Sequence, residues 1–278
     1  MLGSAVYTVL TRSKGFTVYG TVRSAESMEL FPKALRNGLV EVSDLEDLSS
    51  VDALIDKYGP EIIINCLSVK KAAYVDVERF IKLYAILPKR LSMVCAKRNI
   101  RLIQIGTDGV FSGKRGKYTE SDVPDASDTY GMAKFLGEIS EPHAITLRTS
   151  IIGPELRDGK GLLHWFLSQE GRCNAYSRVV FSGLPTNVLA EVIRDAILPR
   201  PKLHGIYHIA APAISKMNLL KLIAERYEKN IELVNNESPE SNLALDATRF
   251  ADATGYSAPD WESLVDSMYT FHRSITRA

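Results

Sequence analysis

The apolar positions of the chain fall into two alternating rhythms. Short runs rich in β-branched residues read as strands, at Thr17–Val22, Leu39–Val42, Ile62–Ile64, Leu102–Ile105 and Ala144–Leu147. Ile62–Ile64 is apolar throughout, as a strand covered on both faces must be. Between these runs the apolar residues recur with helical spacing. Val51, Leu54, Ile55 and Tyr58 stand at i, i+3, i+4 and i+7, after a Ser43–Glu46 capping box and before a Gly59-Pro60 stop. Phe80, Leu83, Tyr84, Leu87, Leu91 and Val94 mark a longer helix over Val77–Lys97, in which Pro88 predicts a kink or a break. Thr129–Ile139 is a further helix, with Asp128 placed to cap it. Repeated strand–helix alternation requires right-handed crossovers. The expected fold is therefore α/β, a doubly wound parallel sheet with helices on both faces.

After Ser150 the rhythm breaks. Gly153, Pro154, Gly159 and Gly161 fill a loop-rich stretch before the apolar run Leu162–Leu167. Val188–Ile197 and Leu219–Tyr227 read as amphipathic helices on either side of a strand at Ile206–Ile209. The expected organisation is a dinucleotide-type domain over residues 1–150, to which the chain returns near 186–210. Residues 151–278 then form mainly a substrate-binding portion.

Composition narrows the classes. With 278 residues the chain buries a large core without disulfide or metal staples. Its 34 Lys and Arg against 33 Asp and Glu leave none of the positive excess that a phosphate backbone demands, so nucleic acid is not an expected partner. No apolar stretch approaches the ~20 residues of a membrane span. MLGSAVYTVLTRSKG carries neither a basic leader nor a cleavage site, which makes a cytoplasmic protein the expectation. Cys66, Cys95 and Cys173 are odd in number, widely spaced and without CxxC pairing, so they read as reduced thiols with no metal site. The five histidines show no metal spacing; His164 reads as a helix residue beside Trp165, and Trp261 as packing near the C terminus.

Three residues carry candidate chemistry. The strand Leu102–Ile105 runs into Gly106-Thr107-Asp108, which places Thr107 at a carboxyl end of the sheet, where such folds bind ligands. Further on stands Tyr130-Gly131-Met132-Ala133-Lys134. A Tyr and a Lys at i and i+4 share one helix face, about 5–6 Å apart at Cβ. An ammonium beside a phenol favours the phenolate and lowers the pKa from its reference near ~10. With the Thr107 hydroxyl holding a carbonyl oxygen and Tyr130 donating a proton to it, the set can reduce a ketone given a hydride donor. YxxxK alone is a common motif. Each residue also has a plainer reading: Tyr130 in the core, Lys134 on a solvated face, Thr107 in a turn. The order strand, Thr, gap, YxxxK helix, strand is what favours chemistry.

At this point the chain resembles a known family, the extended short-chain dehydrogenase/reductases, and within them the dTDP-4-dehydrorhamnose reductase-like branch. The resemblance rests on MLGSAV at the start, GTVRS at 20–24, IIINC at 62–66 and GTDGVFSGKRGKYTESDVPDASDTYGMAKFLGE at 106–138. LRTSIIG at 147–153, FSGLPTNVLAEVI at 181–193 and ATGYSAPDW at 253–261 extend it over essentially the whole chain. It implies Tyr130 as proton donor, Thr107 as the carbonyl-orienting group, and Lys134 as the pKa tuner that also holds the nicotinamide ribose. It implies a nucleotide-sugar substrate with a 4-keto group, NADP as cofactor, and a homodimer as the assembly to look for. Leu2, Gly3, Val42, Cys66, Leu67 and Ser68 fall at cofactor-lining positions, with Tyr130 and Lys134. Arg23 follows the second strand of the family's fold, where NAD-binding relatives carry an acid; a guanidinium there suits a 2′-phosphate. Lys114, Arg115 and Lys117 form a small basic loop, read as a solvated turn or as a contact to substrate phosphate.

The chain departs from the family's pattern in two places. The family's phosphate loop reads G-x-x-G-M-L-G after a first apolar strand, and the present sequence starts at the Met of M-L-G. The expectation is a sheet without that strand and a weak hold on a pyrophosphate. Tyr84, in YAILP, stands where many relatives have the Asn of N-A-x-x-P. Two other functions share the fold. One is an epimerase or dehydratase, although many dehydratases carry an acid directly after the Thr-Asp pair, where this chain has Gly109. The other is a catalytically silent regulatory subunit, as methionine adenosyltransferase has in this branch.

Overall fold

A computed structural model describes residues 1–44, 48–68, 77–157, 159 and 161–276. Helix α1, Leu2–Arg12, opens the chain. Strand β1 is Gly20–Val22, helix α2 is Ala25–Glu29, and strand β2 is Leu39–Glu41. β1 is shorter than the expected Thr17–Val22 because its parallel partner begins only at Leu39, opposite Gly20. Helix α3 spans Leu48–Tyr58 and strand β3 Ile62–Asn65. Glu46 of the expected capping box lies outside the described residues.

Next come helix α4, Val77–Ile81, a π-helical turn at Lys82–Ile86, and helix α5, Leu87–Arg98. Pro88 neither breaks nor ends the run. It sits in the first turn of α5, where its missing N–H is tolerated. The wider turn directly before it absorbs the hydrogen bond that Pro88 cannot make to the carbonyl of Tyr84. Strand β4 is Arg101–Ile105, helix α6 Thr129–Leu136 and strand β5 Ala144–Arg148.

β3, β4, β5 and Gly205–His208 form one parallel sheet, ordered Gly205–His208, β5, β4, β3. Its registers run Ile62↔Arg101, Leu102↔Ala144 and Gly205↔Ile145. β1 and β2 form a separate parallel pair, and among the described residues no strand bridges it to the larger sheet. Strand alternation splits the core in two. Leu102 and Ala144 pack with Val51 and Ile55 of α3 and with Leu87, Leu91 and Cys95 of α5. Ile103, Ile105, Ile145 and Leu147 instead meet Leu2, Val6, Val9 and Leu10 of α1 and Val188, Leu189 and Val192. Each Val, Leu or Ile side chain among them contributes about 1.5–3 kcal/mol when fully buried. Helices thus cover both faces, the doubly wound α/β arrangement that strand–helix alternation predicts.

The later elements lie close to their expected places. Leu162–Ser168 is a helix, Thr186–Val192 is a helix that continues through a π turn at Ile193–Ile197, and Lys216–Arg226 is another. Trp261 begins the last helix, Trp261–Thr276, and its indole N–H donates to the carbonyl of Pro212 at 2.6 Å. Cys66, Cys95 and Cys173 are free thiols. No helix among the described residues is long and apolar enough to cross a membrane.

Candidate active site

The loop leaving β4 is built by Thr107. Its hydroxyl accepts the N–H of Gly109 at 3.1 Å, capping the short turn Asp108–Val110, and donates to Asp108 Oδ1 at 3.3 Å. Burial pushes the Asp108 carboxyl up to about 6, against the pull of the Thr107 and Ser150 hydroxyls and of backbone N–H groups. α6 starts where Asp128 Oδ1 accepts the N–H groups of Tyr130 and Gly131, both at 3.0 Å, and it ends at Gly137.

Two glycines bring loop and helix together. A Cβ on Gly131 would lie 2.3 Å from the carbonyl oxygen of Gly109, so only glycine allows α6 this close. A Cβ on Gly109 would lie 3.2 Å from Tyr130 Cε1 and 3.3 Å from Thr107 Oγ1. The phenol ring and the threonine hydroxyl therefore converge over Gly109.

Lys134, one helical turn after Tyr130, is buried, and its Nζ donates to the carbonyl of Ile105 at 2.7 Å. Burial pulls its pKa down to about 8, while the charges of Glu138 and Cys66 act in the opposite sense. An ammonium has three donors, so the bond to Ile105 leaves it two more. Aromatic rings close the site from the side of α4. Tyr84 and Phe80 are both buried; their rings lie 4.6 Å apart, and the Tyr84 ring meets that of Tyr130 edge-on at 5.7 Å.

Behind Lys134 lies an ionic network that local sequence spacing did not flag. Glu138 stands one turn beyond Lys134 and binds Arg148, which sits at the end of β5. Arg148 Nη1 lies 3.3 Å from His208 Nε2, and His208 Nδ1 lies 3.0 Å from the carbonyl of Tyr118. Burial, then the Arg148 charge, pulls His208 down to about 4, so the ring is neutral. A neutral ring that donates from Nδ1 to Tyr118 accepts from Arg148 at Nε2.

The residues expected to line a cofactor fall into two groups. Leu2 is buried in the first turn of α1, and a Cβ on Gly3 would touch Cys66 at 3.4 Å. Cys66, whose thiol burial pushes up to about 12, is close enough to Lys134 to feel its charge. Leu67 donates its N–H to Asn65 Oδ1, and Ser68 Oγ lies 3.4 Å from the Tyr84 hydroxyl. This first group gathers at the start of α1 and beyond the end of β3, and Cys66 links it to Lys134. The second lies at the ends of β1 and β2. The N–H of Val42 donates to the carbonyl of Val22 at 2.8 Å, and the exposed Arg23 follows Val22. Arg157, far away in sequence, brings its guanidinium within 3.5 Å of Ser27 Oγ near the same turn. In the basic loop Arg115 is paired with Asp122 and lies over the Tyr118 ring, which makes it part of a structured turn.

Comparison with known proteins identifies relatives of the whole chain. The dTDP-4-dehydrorhamnose reductase of Aggregatibacter actinomycetemcomitans is 24% identical over 256 residues, 82% of this chain and 87% of that one. Methionine adenosyltransferase 2 subunit beta of Xenopus laevis is 30% identical over 190 residues, 60% of this chain and 54% of that one. Among solved structures, dTDP-4-dehydrorhamnose reductase of Bacillus anthracis in complex with NADP superimposes with a TM-score of 0.74 at 17% identity, covering 88% of this chain and 94% of that one. The family model described as RmlD substrate binding domain matches residues 1–272. The chain belongs to that family.

Proposed function

We propose that this chain reduces the ketone of a 4-keto-6-deoxy nucleotide sugar, with NADPH as hydride donor, in polysaccharide or deoxysugar synthesis. The observation that carries this reading is the convergence of Tyr130 and Thr107 over Gly109, with Lys134 buried one turn away. The residues present fit a dinucleotide. α1 has no acidic residue and no side-chain cap in its first turn, so the positive end of the helix near Leu2 and Gly3 suits a pyrophosphate. Cys66, Leu67 and Ser68 lie beyond the end of β3, where such folds receive a cofactor. Arg23 and Arg157 bring two guanidinium groups to the turn after β1, and their fork geometry suits a 2′-phosphate.

When bound, the nicotinamide supplies the hydride. Thr107 orients the ketone oxygen through its hydroxyl. Tyr130 donates its phenolic proton to that oxygen as charge develops there, and Lys134 stabilises the phenolate left behind. Residues 1–150 would hold the cofactor, with the chain returning near 186–210, and 151–278 would cover the sugar. The relatives' reductase names support this reading. Gly109 argues against a dehydratase, because an acid there would press on both Tyr130 and Thr107. Exposed Met132, Phe135 and Leu136 on α6 support a homodimer through that helix.

The test is NADPH oxidation with a 4-keto-6-deoxy nucleotide sugar. Tyr130→Phe should lower kcat roughly 10²–10⁴-fold with little change in KM. A Tyr130→Phe protein that turns over like the parent would overturn the assignment. The likeness to methionine adenosyltransferase 2 subunit beta supports a second reading, a silent subunit. In that case the parent binds NADP without oxidising NADPH on any keto sugar nucleotide.

A further inference from the structure

Tyr84 is set in place by two backbone constraints. It lies in the π turn Lys82–Ile86, which is separated from Pro88 by Leu87 alone. Its carbonyl presses so closely on Gly137 that a Cβ there would come within 1.9 Å of the oxygen. The main chain of Tyr84 is thus locked against the end of α6, the helix that carries Tyr130 and Lys134. From this position the ring turns its face to Lys134, whose Nζ lies 5.1 Å from the centroid, and meets Tyr130 edge-on. That distance is within the range in which a cation is attracted by an aromatic face. Among the described residues, other groups also act on the ammonium. The Ile105 carbonyl approaches from β4, Cys66 from the loop after β3, and Glu138 from beyond the end of α6, with Glu138 already engaged by Arg148; Tyr130 stands one helical turn before Lys134 on α6.

We infer that Tyr84 is a positioning residue for this site: its ring face holds the Lys134 ammonium behind Tyr130, in place of a second anionic or carbonyl partner. The inference rests on the reading of Tyr130 and Lys134 as the proton-donating pair. The ring is polarisable, dry and rigid, so it stabilises the charge without accepting the proton. A purely space-filling role would depend on shape alone, whereas this role depends on the electron density of the ring.

That difference defines the experiment. Tyr84→Phe is compared with nearly isosteric variants carrying mono-, di- and trifluorinated phenylalanine at position 84, each of which draws density from the ring face. Two quantities are measured: the alkaline limb of kcat against pH, and the titration of the Lys134 ¹⁵Nζ resonance in the protein without substrate, assigned through Lys134→Arg. Both should move stepwise to lower pH with fluorination, by roughly one pH unit across the series. A flat series, or one that moves upward, overturns the inference. If no form turns over a keto sugar but the resonance still moves, the proposed reaction fails, and what stands is the hold of the Tyr84 ring on the Lys134 ammonium without a part in catalysis. If turnover is found and neither quantity moves, the inference fails alone.

Discussion

Glu138 accepts two hydrogen bonds from the guanidinium of Arg148, at 2.7 and 2.8 Å, and both side chains are almost wholly buried. The pair fastens the end of α6 to the end of β5. Removing one member leaves the other as an uncompensated buried charge, which costs about 3–5 kcal/mol. Glu138→Gln should therefore lower the unfolding free energy by about 3 kcal/mol. Replacing both residues with Met should recover most of the loss, since no charge is then stranded. Urea unfolding of the two variants checks this; equal losses in both would show that the pair acts through shape rather than charge.

Gly131 offers a sharper probe of site geometry. A Cβ there would stand 2.3 Å from the Gly109 carbonyl oxygen and 2.4 Å from Ala126 Cβ, and the backbone oxygen cannot swing aside. In Gly131→Ala the start of α6 must retreat by about 1 Å, a displacement that can cost on the order of 10²-fold in rate. The expected outcome is a folded protein by circular dichroism with kcat down by that order. A Gly131→Ala variant with parental kcat would show that Tyr130 does not need to lie against Gly109.

Much of this was legible locally. Tyr130 and Lys134 are separated by one helical turn, Asp128 precedes them as a cap, and Thr107 follows an apolar strand, so short-range spacing alone brings out the candidate set. What escaped depends on longer range or on unusual local geometry. α1 carries a helical pattern at Leu2, Ala5, Val6, Val9 and Leu10, which the likeness of Met1–Gly3 to the end of a phosphate loop masks. The π turn at Lys82–Ile86 has no signature in a 3.6-residue period, so Pro88 predicted a kink. Glu138, Arg148 and His208 meet only because β5 pairs with Gly205–His208, and no spacing along the chain announces that. Arg157 reaches the turn after β1 across 130 residues of sequence.

The two arginines near that turn should set cofactor preference. Arg23 is exposed directly after β1, and Arg157 approaches Ser27 on α2. A guanidinium bond to a phosphate is charge-assisted and contributes about 1.5–3 kcal/mol, or roughly 10–100-fold in affinity. Arg23→Ala should weaken NADP binding by about that factor and leave NAD binding within about twofold of the parent. Adding Arg157→Ala should remove most of the remaining preference. Calorimetric titration with both cofactors decides it, and equal losses for NADP and NAD would show that Arg23 is only structural.

Lys134 should be a group that costs stability to keep. Its folded pKa is about 8, against 10.5 for a free lysine, because burial disfavours the charge. Between these two values the unfolded chain binds more protons than the folded one, so the contribution of this group to stability rises with pH across that window. Below pH 8 the full penalty applies, and it amounts to about 3 kcal/mol before the lost bond to Ile105 is counted. Lys134→Met, which keeps the length and removes the charge, should therefore be inactive yet more stable than the parent at pH 7. Its advantage should shrink as the pH is raised from 8 towards 10. Urea unfolding of both proteins at several pH values measures the difference directly. A constant gap, or a variant less stable than the parent at pH 7, would mean that the Ile105 carbonyl and the Tyr84 ring compensate the buried ammonium in full.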